Sequence, residues 1–418
     1  MATRRSPGRK AQILAVAAER FHRDGYHRVS MAELAAELGV TAPALYRHVP
    51  GKAELLRQVL AAELAALRGA VRAGAAGEAG LRAALAAAAI DHRALGTLWQ
   101  RDARLLPPAH RAGLRRELRA EVAVMAATVR RSRPELSSAQ AGLLCWSALS
   151  VLAALSHHTF APSRQRFERL LVELTGAVLA APLPPAAVHR PAPVRPVAPP
   201  SPSAGRREEL LGAAVRLFHR HGFDNVTTDR LGAAVGIAGP SVYKHFGTKT
   251  ELLAAVLTDC RDRLRQEVSE VLAGADGRPA ADPHAALTAG LHAYVDFARR
   301  HGDHLGVMVS ETERLAAPDR RAAVDFRRAF LRSWVELLRR VRPEYGRAEA
   351  RIRVHAVFAL VNDGVRGGWA GPDLTQCLTD LAGAVSGLPG LDTVQGRARS
   401  GPPLRGAQDE VGQYSTNG

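Results

Sequence analysis

The chain has 418 residues, too many for one small core and enough for two to four domains. Its 57 lysines and arginines exceed 40 aspartates and glutamates to give +17, a balance that favours a polyanionic partner such as nucleic acid. Three scattered cysteines, Cys145, Cys260 and Cys377, form no CxxC pair and exclude a disulfide framework or a zinc site.

Part of the arginine excess follows from an Ala- and Arg-rich composition. The lysines are more telling, because Lys10, Lys52, Lys244 and Lys249 all fall in or beside one repeated stretch. Along the chain, "MATRRSPGRK" carries a twin arginine with no apolar segment behind it, so residues 1–7 read as a basic arm and not an export signal. Apolar residues then recur at three and four, predicting helices near 8–24, 31–38, 42–48, 52–73, 78–104, 108–132, 137–158 and 163–180. The longest apolar run, Leu143 to Leu155, falls short of the ~20 residues that span a bilayer, so no membrane partner and a cytoplasmic, nucleoid-associated location are expected. Residues 182–204 are rich in proline, which suits neither helix interiors nor sheet ladders, and read as a semi-rigid linker. Beyond it the plan repeats, with helices predicted at 205–221, 228–235, 239–245, 249–273, 283–300, 304–315, 318–341, 347–368 and 373–386. Residues 388–418 have no apolar period and read as a disordered tail.

The repeat can be written without a gap. Residues 8–60 match 205–257 at about 40% identity. The stretch "GVTAPALYRHVPGKAELL" returns as "GIAGPSVYKHFGTKTELL". In the first copy, Ser30 and Glu33 form a capping box that starts a short helix, and Gly39 stands where a left-handed residue must end it. A second short helix follows within three residues, a spacing that matches helix-turn-helix with its second helix presented to the major groove. Lys52 sits in the first turn of the next helix, where backbone N–H groups and an ammonium suit a phosphate. In the second copy Thr227 takes the place of Ser30, Gly236 makes the turn, and Thr248 with Glu251 predicts a capping box around Lys249.

These two stretches, with "RKAQILAVAAERFHRDGYHRVSMAELAAELGV" and "RREELLGAAVRLFHRHGFDNVTTDRLGAAVGI" ahead of them, resemble the DNA-binding domain of TetR-type bacterial transcriptional regulators. The resemblance implies an all-α chain of two tandem units, each a helix-turn-helix domain (8–60 and 205–257) followed by a helical-bundle regulatory and dimerisation domain (61–181 and 258–387). It implies a sequence-specific DNA-binding regulator, a ligand-responsive repressor, with double-stranded DNA and a small-molecule effector as partners. It places Thr41, Ala42, Pro43, Ala44, Tyr46, Arg47 and His48 against DNA, with Ser30 and Lys52 on phosphates. In the second unit Ala238, Gly239, Pro240, Ser241, Tyr243, Lys244 and His245 hold those places, with Thr227 and Lys249. Val49 departs from the usual Phe, which Phe246 keeps, and Ala238 lacks the hydroxyl of Thr41.

Competing readings stand beside these. Tyr46 and Tyr243 are half-buried packing residues on the alternative view, and His48 and His245 divide evenly between core and DNA. Trp99, Arg104, Trp146, Tyr294, Phe297 and Trp334 are the candidate pocket residues, against a reading of the aromatics as bundle core and the arginines as solvated. No catalytic set, phosphate loop, metal site or cofactor motif is present, so an enzyme is not expected. The rival function is a sensor or interaction protein in which one or both heads no longer bind DNA. A linker of about 20 residues at ~3.1 Å each reaches ~60 Å, enough to join the two units as a covalent pseudo-dimer; a homodimer of whole chains with four heads is the other arrangement.

Overall fold

The computed structural model describes residues 8–158, 162–184, 205–273, 281–371 and 373–388. The expected basic arm, most of the Pro-rich linker and all but the first residue of the tail lie outside them. Among the described residues every regular element is helical. The first unit comprises α1 (Arg9–Asp24), α2 (Met31–Glu37), α3 (Ala42–His48), α4 (Lys52–Ala73), α5 (Glu78–Asp91), α6 (Pro108–Ser132), α7 (Ser138–Ala153) and α8 (Arg164–Ala180). The second comprises α9 (Arg206–His221), α10 (Thr228–Ala233), a 3₁₀ segment (Gly239–Lys244), α11 (Lys249–Leu264), α12 (Pro283–Glu311), α13 (Ala317–Val341), α14 (Arg347–Arg366) and α15 (Leu374–Ser386).

Amphipathic spacing accounts for the heads. α1 buries Ile13, Ala17, Ala18 and Phe21 along one stripe, and α9 buries Leu210, Ala213, Ala214 and Phe218 on the equivalent one. The first head's apolar core runs without a break into the body. The second head has a core of its own, built from Phe218, Val226, Leu231 and Phe246 with Val307 and Leu315 beneath it.

The two units are joined by their last helices. α7 lies against α14 and α8 against α15, so the apolar runs at 143–155 and 352–365 cover each other within one chain. α7 with its 3₁₀ extension, Ser138–His157, is long and apolar enough by length and composition to cross a membrane, which the apolar run alone did not indicate; 67% of that stretch is buried in the fold. At the seam, the guanidinium of Arg353 is 2% exposed and bridges the units, donating to Glu173 Oε1 of α8 at 2.5 Å, to Glu349 Oε1 at 2.9 Å and to the Val385 carbonyl at 3.0 Å. All three cysteines are buried free thiols.

Five predicted helices differ from the expectation. The helix expected over 78–104 ends at Asp91, and Leu98–Asp102 is a π-turn followed by a 3₁₀ turn. Close packing is one reason: a Cβ on Gly96 would collide with the Ala153 carbonyl oxygen at 2.5 Å, so this segment runs tight under α7. The helix expected over 249–273 passes through a π-turn at Arg265–Ser269. The two helices expected at 283–300 and 304–315 are one, kinked at His301 (φ −122°, ψ 27°). The segment 239–245 is 3₁₀ and not α, for reasons given below.

The internal likeness also extends further than the heads. "RPE" recurs at 133–135 and 342–344, 209 positions apart, and does the same work twice. Arg133 pairs with Glu135 and donates to the Leu179 and Ala181 carbonyls at the end of α8; Arg342 pairs with Glu344 and donates to the Gly387 carbonyl at the end of α15.

Candidate nucleic-acid interface

In the first head the expected capping box is complete, with the Ser30 hydroxyl accepting from Glu33 N at 3.1 Å and Ser30 N donating to Glu33 Oε2 at 2.7 Å. Glu33 is held below the usual carboxylate range by these bonds from Ser30. Gly39 adopts φ +65°, and Gly236 in the second head φ +72°, the left-handed turn that a Cβ disfavours. Thr41 then caps α3, its hydroxyl accepting from Ala44 N at 3.4 Å. Only Leu45 of α3 is buried. Thr41, Pro43, Tyr46, Arg47 and His48 are exposed, and Ala42 and Ala44 are half-buried. Tyr46 at 48% is among the few large apolar side chains left open.

The second head presents a different surface from the same plan. Thr227 caps α10, accepting from Arg230 N at 3.2 Å. Ala238 offers no hydroxyl to the next turn, and the segment closes as a 3₁₀ helix with Pro240 inside it. Gly239 is buried, because a Cβ there would run into the Asp229 side chain of α10, and one on Gly232 would meet the Ile237 carbonyl at 2.5 Å. The two elements therefore approach more closely than Ala35 and Ala42 allow in the first head. Ala238, Pro240, Tyr243 and Lys244 are exposed, Ser241 and His245 are half-buried, and Gly239, expected to face DNA, is turned inward. Tyr243 is 50% exposed, matching Tyr46. Val49 and Phe246 are both buried, so the departure at Val49 is a smaller plug in the same core slot.

The two lysines expected on phosphates have internal partners. Lys249 Nζ donates to the Phe223 and Val226 carbonyls, each at 2.9 Å, and stands 4.2 Å over the Phe223 ring. Lys52 Nζ donates to the His27 carbonyl at 3.3 Å and stands 4.5 Å over Tyr26. Desolvation lowers the pKa of both. Each ammonium fastens the start of the fourth helical segment to the loop after the first, leaving Lys52 two donors for an outside acceptor and Lys249 one. Thr248 caps α11 by accepting from Glu251 N at 3.0 Å, one half of the expected box.

The heads are also tied to one another. His27 Nε2 lies 3.5 Å from Asp224 of the second head, and Arg28 lies 3.3 Å from Glu313 in the body of the second unit. The short segment between α5 and α6 grips both: Arg101 donates to the Phe21 carbonyl at 2.6 Å, and Arg104 donates to the Phe218 carbonyl at 3.3 Å. Phe21 and Phe218 are matched positions of the repeat, so one turn holds the same point on each head. Arg104 also pairs with buried Glu311 at 2.5 Å, and Glu311 accepts from Phe223 N at 3.3 Å. Burial raises the Glu311 pKa, with Arg104 acting against it. Nothing in the sequence marks Arg101 and Arg104 for this task except their spacing on one turn.

Compared with known proteins, residues 13–59 and 210–256 each match the family of bacterial regulatory proteins, tetR family. Both heads belong to the tetR family. The chain is 36% identical over 64 residues to the HTH-type transcriptional repressor AcnR of Corynebacterium efficiens, covering 15% of this chain and 34% of that protein. It is 37% identical over 92 residues to the HTH-type transcriptional activator FasR of Mycolicibacterium smegmatis, covering 22% and 40%. The chain thus spans about a third of the length of the first curated relatives it matches. A TetR-family regulator from Bordetella parapertussis overlays with a TM-score of 0.38 at 19% identity, covering 42% of this chain and 93% of that one. The tetR-family heads account for the repeat, and each presents one exposed tyrosine, Tyr46 or Tyr243, on its recognition segment.

The candidate pocket residues divide between the units. Trp99, Arg104 and Trp146 of the first line a cavity of about 630 Å³ to which the second contributes Arg220 and Arg366. Tyr294, Phe297 and Trp334 are buried in the second, and two of them belong to a closed cluster of rings: Tyr294 lies 4.8 Å from Phe358, and Trp334 5.5 Å from it. Phe297 instead stacks near His301 at 4.9 Å. Among the described residues no group of three His, Cys, Asp or Glu side chains is placed to hold a metal ion.

Proposed function

We propose that the chain is a sequence-specific DNA-binding transcriptional regulator that engages its operator through both heads as a covalent pseudo-dimer. The observation that carries this reading is the pairing of α7 with α14 and α8 with α15, which covers within one chain the apolar faces that would otherwise recruit a second copy. Exposed Tyr46, Arg47 and Thr41 in one head, and Tyr243 and Lys244 in the other, are the residues proposed to meet DNA, with Ser30 and Thr227 at the phosphates. Both recognition segments are poor in long polar side chains, so specificity rests on few base contacts together with phosphate positioning and DNA shape. Action as an effector-responsive repressor, in the cytoplasm on the nucleoid, completes the proposal. The second reading, an idle second head, is favoured by one feature: the uncapped 3₁₀ segment with Gly239 turned inward.

Double substitutions separate the two. Tyr46→Ala with Arg47→Ala, and separately Tyr243→Ala with Lys244→Ala, are each expected to weaken operator binding at least tenfold and to lower its salt dependence by about one phosphate contact. If the second pair leaves affinity and salt slope unchanged, the second head is idle and the pseudo-dimer reading fails.

A further inference from the structure

The cavity of about 630 Å³ belongs to both units. Its apolar side comes from the first, where Leu85, Leu114, Trp146 and Leu149 face it. Its other side is basic and shared: Arg111, Arg115 and Arg119 stand one turn apart on α6, and Arg220 of α9 and Arg366 of α14 close the far wall. Seven arginines line the space against one carboxylate, Asp363, and that carboxylate is already bonded to Arg366 at 2.9 Å and to Gln100 at 3.0 Å. Arg115, Arg119 and Arg220 have no acidic or carbonyl partner among the described residues. Desolvation and then the like charges of Arg111 and Arg119 depress the pKa of Arg115.

The corresponding place in the second unit is full. In the register set by the two "RPE" turns, Phe358 stands where Leu149 lines the cavity, and Phe330, Trp334 and Tyr294 close around it at 5.6, 5.5 and 4.8 Å. The Tyr294 hydroxyl is satisfied by Asn362 Oδ1 at 3.1 Å, while the buried Trp334 indole N–H has no acceptor. A recess in that unit, lined by Leu257, Met308 and Phe326, holds about 30 Å³, the room of a single water.

We propose that the chain has one small-molecule site, not two, built from both units, and that it takes an amphipathic anion. The apolar body lies against Leu85, Leu114 and Trp146, and a phosphate, sulfate or carboxylate group sits at Arg115, Arg119 and Arg220. Its role as an effector rests on the regulatory reading above, while the binding itself does not. Coupling is direct, because Arg104 lines the same cavity and holds Glu311 and the Phe218 carbonyl of the second head.

Calorimetric titration of the full chain with decyl phosphate, below its micelle concentration, tests this. One equivalent per chain is expected, with inorganic phosphate and decanol each binding at least tenfold more weakly. Arg115→Gln with Arg119→Gln, both exposed positions, is expected to weaken decyl phosphate at least tenfold. Leu149→Phe, which copies the plug at Phe358, is expected to abolish binding, and Tyr294→Phe to leave it unchanged. Two equivalents per chain, binding as tight for decanol, or indifference to the paired arginine substitution would each overturn the proposal. Operator binding by the same preparation keeps the two readings apart: loss of decyl phosphate binding with DNA binding intact defeats this inference alone.

Discussion

The first unit has an α-helical recognition segment and supplies the apolar side of a cavity, whereas the second has a 3₁₀ recognition segment and fills the matching place with four packed rings. Both grew from one plan, since matched positions still cap the same helices and turn at the same glycines. The differences are concentrated where a symmetric dimer would be forced to keep two copies alike. On the proposed reading, two units that share a chain need one pocket only, and the two heads are free to read different half-sites. Asymmetry in sequence thus becomes a division of labour that identical subunits cannot reach.

The largest test of that comparison is at the seam. Arg353 is buried on α14, while its counterpart in the "RPE" register is Leu144, so the bridge to Glu173 exists on one side only. Arg353→Ala is expected to cost about 3 to 5 kcal/mol in urea unfolding, because it strands Glu349 and opens a hole between the units. A loss near zero would mean that the units are held by their apolar faces alone.

The next is in the heads. Gly239→Ala forces a methyl group against Asp229 and is expected to destabilise the second head by about 2 kcal/mol and weaken operator binding, whereas Ala42→Gly costs about 1 kcal/mol through helix propensity alone. Equal effects would show that the two turns are packed alike.

Acid provides a third contrast. Burial, and then the neighbouring His158 and His157, hold the His355 pKa well below 6.5, and its ring lies 5.2 Å from that of His158. His355 is therefore neutral when folded. As pH falls below 6.5 the unfolded chain takes up a proton that the folded chain refuses, so stability drops by up to about 1.4 kcal/mol per pH unit until the folded pKa is reached, and is fully restored above 6.5. His355→Leu is expected to flatten the stability–pH curve in that window; an unchanged slope would place the acid sensitivity elsewhere. The smallest expected effect is a gain. Ala238→Thr returns the missing cap and is expected to stabilise the second recognition segment by about 0.5 to 1 kcal/mol, read as tighter binding of its half-site.

The repeat, the caps at Ser30 and Thr227, and the turns at Gly39 and Gly236 were legible in the sequence because they depend on local chemistry. The same holds for most helices, whose periodicity is strong. What was not legible depended on contacts made far along the chain. Lys52 and Lys249 look free for phosphate until the loop carbonyls at His27, Phe223 and Val226 are placed above them. Gly239 reads as a surface residue until Asp229 is seen covering it. The break between α5 and α6 places Arg101 and Arg104 on the two heads and packs Gly96 against Ala153, contacts that no window of sequence contains. The "RPE" recurrence was visible but too short to notice without the turns it holds. Among the aromatics, a ring that lines a cavity and a ring that fills one have the same periodicity.

The central claim is that one chain carries one complete operator-binding unit with two unlike heads. The most direct measurement is selection of genomic DNA by the purified protein, followed by footprinting and determination of the mass of the complex at near-physiological salt. The account predicts an imperfect palindrome with two different half-sites about 34 Å apart, covered by a single chain. A symmetric or doubled site occupied by two chains would contradict it, and so would the absence of any enrichment over non-specific DNA.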